Sequence, residues 1–175
     1  MTRLPLTLTL GALLAACTPA AAPEAPPAPA AAPDVSAPAI RSAEEWVEKT
    51  SPDSVPVTVA RLTAAIEASP ASLVAVVDHR ANAARAGLEL PETTVVIFGN
   101  PAVGTPLMQA NRRAALDLPL EVLVWRDGEV TRIGYLPAPA LAARYGIGPG
   151  HPAIGAMTMA LNKLTDTAAG TAPPA

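Results

Sequence analysis

TTVVIFGNPAVGTPLM, residues Thr93 to Met108, joins a β-branched apolar run to a Gly-Asn-Pro turn and then to a helix start. Thr93 to Phe98 predicts a strand buried on both faces, because Val and Ile are stiff at χ1 and suit a pleated surface. Gly99 lets the chain turn, Asn100-Pro101 favours turn initiation, and Gly104 is a second permissive backbone position. Thr105 is the expected cap of a helix whose first residue is Pro106, where a missing N–H does no harm. A strand end and a helix N-terminus joined by a short glycine-containing loop form a place for a small polar or anionic ligand.

Upstream of this stretch, Val55, Val59, Leu62 and Ile66 recur at spacings of one helical face, after Ser54 as a candidate N-cap and Pro56 in the first turn. That helix stops at Ser69-Pro70. Before it, Ala43 to Thr50 alternates well enough for a first strand, with a helical turn as the alternative. After it, Leu73 to Val77 reads as a second strand with Asp78-His79 at its end, and Ala81 to Ala86 as a short helix closed by Gly87. Downstream, Pro106 to Leu116 continues as a helix that Asp117-Leu118-Pro119 ends. Glu121 to Trp125 and Val130 to Tyr135 flank Asp127-Gly128, a hairpin signal. Pro137 to Tyr145 predicts a short helix ended by Gly146, and Ala153 to Leu164 a last one. The order β-α-β-α-β-α-β-β-α-α implies an α+β domain with one face of a mixed sheet covered by helices.

The start of the chain differs in kind. Met1 to Ala16 carries one Arg and an apolar run from Leu4 to Leu14, too short to span a bilayer and suited to a secretory signal. Leu14-Ala15-Ala16-Cys17 resembles the lipobox of bacterial lipoproteins, which implies cleavage before Cys17 and its acylation. The alternative is an ordinary signal peptide with a coincidental Cys. Thr18 at the next position implies the outer membrane, with the protein facing the periplasm. Residues 17–42, mostly Ala and Pro, read as the acylated Cys and a disordered tether, since they cannot bury enough surface to offset ordering entropy. Residues 43–166 are then the folded domain, and residues 167–175 an expected frayed tail.

Loss of Met1 to Ala16 removes Arg3 alone among the charges, so 12 basic and 15 acidic residues become 11 and 15, net −4. No clustered basic face suggests nucleic acid. Cys17 is the only cysteine, so the folded part has no disulfide, thiolate catalyst or Cys-based metal site.

The segments VTVARLTAAIEAS, VVDHRANAARAGLEL, TTVVIFGNPAVGTPLM and LDLPLEVLVW, with Tyr135 and LAARYGI, resemble the domain of unknown function (DUF) 302 family. The likeness runs from about Ala43 to Ile147, and its FGNP-x-x-GT-x-LM core is specific. It implies a fold similar to the TATA-binding-protein-like arrangement, a curved and largely antiparallel sheet holding a long helix. The family has no established function. Two departures stand out: the lipoprotein leader with its tether, and Ser69-Pro70-Ala71-Ser72 in place of the family's usual Gly.

His79 leads the site candidates, because a neutral imidazole at a strand end can act as acid or base or bind a metal or haem iron. The plainer alternative is a His that caps or bonds the loop. The family motif also carries His at this position. Asn100 and the amides around Gly104 and Thr105 can bond a carboxylate, phosphate or carbonyl, and the alternative is a turn and cap without ligand. Gly99-x4-Gly104 lacks the GK[ST] of a P-loop, which removes nucleoside triphosphates. Met108, Met157 and Met159 suit soft copper with His79 or His151, but core filling is the better reading, as Met157 and Met159 do not share a helix face. His151 lies in an expectedly exposed Gly-Pro segment. Tyr135 can bond a ligand in the family cleft or sit buried with its hydroxyl satisfied. Asp117 is expected to cap or turn the chain.

No Ser-His-Asp triad or carboxylate pair assembles. Three readings follow: an envelope lipoprotein that binds a small ligand or protein partner near His79, Asn100 and Met108; a metal- or haem-dependent enzyme or redox component using His79; and a structural homodimer that pairs through an uncovered sheet face. The residues name no cofactor.

Overall fold

The computed structural model describes residues 46–171, all within one compact unit of the chain. The leader, Cys17, the tether, Ala43 to Glu45 and residues 172–175 lie outside the described residues.

Five strands and five helices alternate as expected: β1 (Val47–Ser51), α1 (Val55–Glu67), β2 (Ser72–Asp78), α2 (His79–Arg85), β3 (Thr93–Gly99), α3 (Pro101–Ala110), a 3-10 segment (Arg112–Asp117), β4 (Leu120–Asp127), β5 (Val130–Tyr135), α4 (Ala138–Arg144) and α5 (Pro152–Ala169). The sheet order is β1-β5-β4-β3-β2, and every neighbouring pair is antiparallel. The mixed sheet expected from the strand-helix-strand links is therefore corrected. β1 and β2 point the same way, but α1 carries the chain across the sheet and leaves them on opposite edges, so they never pair.

Alternation sorts the two faces. Val96, Phe98, Val122, Val124, Ile133 and Tyr135 point to the helix side, where Leu62 and Ile66 of α1 and Leu161 and Leu164 of α5 close the core. On the opposite face Val95, Ile97, Leu123 and Trp125 are half-buried, and Trp46 lies so close over Gly134 that a Cβ there would stand 2.6 Å from the indole. β3 thus has one fully buried face, rather than the two that its composition suggested.

Turn chemistry fixes the joints. Gly128 (φ 57°) opens the two-residue turn between β4 and β5, while Gly87, Gly146 and Gly170 supply the left-handed residue after α2, α4 and α5. Ser54 occupies the N-cap of α1, yet its side chain bonds nothing there.

The limits of two helices differ most from expectation, and the first of them, α3, also ends early: the helix expected to reach Leu116 stops at Ala110, and Arg112–Asp117 is a separate 3-10 segment. α3 begins at Pro101, not Pro106, because Pro101 suits the first helical turn and the Asn100 side chain accepts from the Ala102 amide at 2.9 Å. Pro106 then lies inside the helix, Thr105 is no cap, and Gly104 and Gly99 have no positive φ. Gly99 instead ends β3 where a Cβ would come 3.2 Å from Pro119. The second difference is α5, which runs on to Ala169, so the tail expected to fray from Thr167 is helical there. Ala168 and Ala169 are buried, and Arg61 Nη1 donates to the Ala168 carbonyl at 2.9 Å.

Candidate functional site

A cleft of about 720 Å³ opens where the C-terminal end of β3, the start of β2, the first turns of α3 and the middle of α5 meet. The volume lies within the range of small-molecule sites, about 300–1,000 Å³. Its walls are chiefly apolar: Val74, Phe98, Val103, Met108, Met157 and Leu164 all contribute. The local sequence explains the opening. β2 is an edge strand whose register shifts between Leu73 and Ala75, and Val74 and Val76 stay 59% and 46% exposed on its helix-facing side. α1 has ended by Glu67, and the Ser69-Pro70-Ala71 link that departs from the family pattern forms part of the rim.

Four residues singled out in the sequence meet here. Asn100, Gly104, Thr105 and Met108 all line the cleft. Asn100 spends its Oδ1 on the cap of α3, which leaves Nδ2 as its donor for a ligand. The Gly104 amide is already given to the Asn100 carbonyl at 2.9 Å, so it is no open anion site as the loop pattern suggested. Thr105 offers an exposed side chain within the first turns of α3.

His79 and Tyr135 are elsewhere. Ser72 lines the cleft, whereas His79 follows the other end of the seven-residue β2, roughly 20 Å away at the usual rise per strand residue. A single pocket near His79, Asn100 and Met108 is thereby corrected. His79 is the exposed first residue of α2, behind Asp78, whose Oδ1 accepts from the Ala81 amide at 2.9 Å. Among the described residues no three His, Cys, Asp or Glu side chains gather as a metal-binding group. Tyr135 is 2% exposed; its hydroxyl donates to Asn162 Oδ1 at 3.0 Å and Lys49 Nζ sits 5.8 Å from its ring centre. Lys49 also pairs with Asp166 at 2.6 Å, so Tyr135 belongs to a polar link between β1, β5 and α5.

The remaining candidates have structural partners. His151 is half-buried rather than exposed, because its Nδ1 accepts from the Ala153 amide at 3.3 Å and caps α5. Asp117 pairs with Arg144 and accepts from the Tyr145 hydroxyl at 2.8 Å, tying the 3-10 segment to α4. Met157 is buried in the cleft wall while Met159 is 70% exposed.

Sequence reasoning missed the contribution of α5. Ala156, Ala160, Lys163 and Thr167 all line the cleft. Their spacings of four, three and four were legible as one helical face, but nothing local told which surface that face meets. Lys163 is the one charged residue of the lining, and it makes no ion pair among the described residues.

Residues 47–166 match the model of the family described as domain of unknown function DUF302. The chain belongs to the DUF302 family. A crystal structure of an uncharacterized conserved DUF302 protein from Bacillus stearothermophilus has the same fold at a TM-score of 0.59 and 14% identity, covering 74% of this chain and 98% of that one. Over 119 residues the DUF302 chain is 41% identical to the fluoride-specific ion channel FluC 1 of Brucella suis biovar 1 (strain 1330), covering 67% of this chain and 47% of that protein. The FluC 1 protein of Brucella abortus biovar 1 (strain 9-941) is likewise 41% identical, with 44% of its length covered. The chain thus spans less than half the length of these curated relatives. Among the described residues of the DUF302 domain, no helix is long and apolar enough to cross a membrane.

Proposed function

We propose that this DUF302 domain is a binding module that takes a small, mainly apolar molecule into the cleft at the end of β3. The observation that carries the reading is the cleft itself, about 720 Å³ of chiefly apolar wall with a few polar groups at its edge, the usual composition of a ligand site. The second part of the proposal is location: an envelope lipoprotein of the outer membrane, facing the periplasm and held by acyl chains on Cys17. Its support is the Leu14-Ala15-Ala16-Cys17 sequence after an apolar leader. Fluoride conduction belongs to the name of relatives of which this chain spans less than half. A mainly apolar wall also suits a strongly hydrated small anion poorly, since burial without compensating bonds is costly.

Two experiments test the parts separately. Ala160 is exposed on α5 and lines the cleft, so Ala160→Trp fills it without touching the core. Native mass spectrometry of protein taken from its own envelope fraction is expected to show an apolar adduct on the wild type and none on Ala160→Trp. Wild type free of adduct that also fails to bind an apolar fluorescent probe sinks the binding reading. For the anchor, labelled palmitate should enter the wild type and not Cys17→Ser; equal labelling of the two refutes acylation at Cys17.

A further inference from the structure

The cleft's charge pattern says more about its occupant than its volume does. Among the residues that line it there is no Asp, Glu, Arg or His, and the single charged group is Lys163. Lys163 is exposed on α5, and no carboxylate among the described residues pairs with it. On α5 it stands one turn beyond Ala160 and one turn before Thr167, so the lysine stem follows the apolar wall while its ammonium stays in water at the rim.

Resting on the apolar-ligand reading above, we propose that the occupant is a single-chain amphiphile with a carboxylate head, a long-chain fatty acid. The head pairs with Lys163 Nζ at the rim, and the alkyl chain lies along Val74, Val103 and Met108. Flexible thioethers adapt to a chain of variable conformation. A neutral lipid would leave Lys163 unused, and a cationic one would be repelled by the only charge present.

The test uses the full chain and two probes of equal length, dodecanoate and dodecan-1-ol, titrated below their aggregation limits by calorimetry. The expected result is dodecanoate bound about three- to fivefold tighter than the alcohol, the scale of a solvent-exposed ion pair. Lys163→Gln should abolish that preference and leave the alcohol's affinity within twofold, whereas Lys163→Arg should retain it. Decanoate should bind more weakly than dodecanoate, by about two- to fourfold per methylene. Equal binding of acid and alcohol to the wild type overturns the carboxylate inference and leaves the apolar-ligand reading standing. A preference that survives Lys163→Gln overturns the assignment to Lys163. Failure of both probes to bind the wild type overturns this inference and the binding reading together.

Discussion

Thr131 lies on the helix side of β5, 1% exposed, and its hydroxyl has no hydrogen-bond partner among the described residues. Opposite it, Ser51 accepts from the Thr58 hydroxyl at 2.8 Å and from the Asp53 amide at 3.3 Å, so the neighbouring polar cluster is satisfied without it. A buried hydroxyl without a partner costs about 1–3 kcal/mol. Thr131→Val keeps the shape and should raise stability by about 1 kcal/mol, read as a higher urea midpoint at unchanged slope. A lower midpoint would show that the hydroxyl contributes a bond. At this scale the sequence marks residue types but not their duties. Asn100 was legible as a turn residue, yet whether its carbonyl served a ligand or the Ala102 amide depended on where α3 began. Lys163 drew no notice, because a lone lysine on a helix carries no pattern until the wall around it is known.

Among the elements, α3 is the one whose start the sequence misplaced. Two prolines, Pro101 and Pro106, both fit the rule for a helix start. The chain uses the first, since Asn100 caps there, and tolerates the second inside the helix. Pro106 has no N–H for the Ala102 carbonyl, the bond that a regular helix would make. Pro106→Ala should therefore stabilise the fold by about 1–3 kcal/mol, part of the interior penalty being offset by proline's lower entropy in the unfolded chain. An unchanged or reduced thermal midpoint would mean that α3 gains nothing from a regular bond at this point. The apolar face of α1 was legible, as Val55, Leu62 and Ile66 are buried and Val59 half-buried, but the fully buried Thr58 was not. The β4-β5 hairpin was equally plain from Asp127-Gly128. Both rest on contacts within a few residues of each other.

At the scale of the whole molecule, α5 holds the two ends of the described domain together. Its last turn packs beside α1, with Ala168 and Ala169 at 0% and 1% exposure, and Arg61 bonds both Asp53 and the Ala168 carbonyl. Truncation after Asp166 removes this turn together with the Gly170 stop. The expected loss is about 2–4 kcal/mol of unfolding free energy in a denaturant titration, from buried alanine surface, an opened groove over α1 and a freed Arg61. A loss below about 0.5 kcal/mol would return these residues to the frayed tail that their Ala, Thr and Gly composition suggests.

By itself the sequence determined the order of the elements, the presence of the hairpin, the apolar face of α1 and, through FGNP-x-x-GT-x-LM, the family. These depend on neighbours close along the chain, where period and turn chemistry act directly. Only the tertiary structure decided that β1 and β2 lie on opposite edges, that β3 is fully buried on one face alone, and that α5 runs to Ala169. It alone also parted His79 from Asn100 by the length of β2 and brought Lys163 to the same cleft as Phe98 and Met108. Each of those facts joins segments far apart in sequence, and which surfaces meet is selected by the packing of the whole core, which no local pattern encodes.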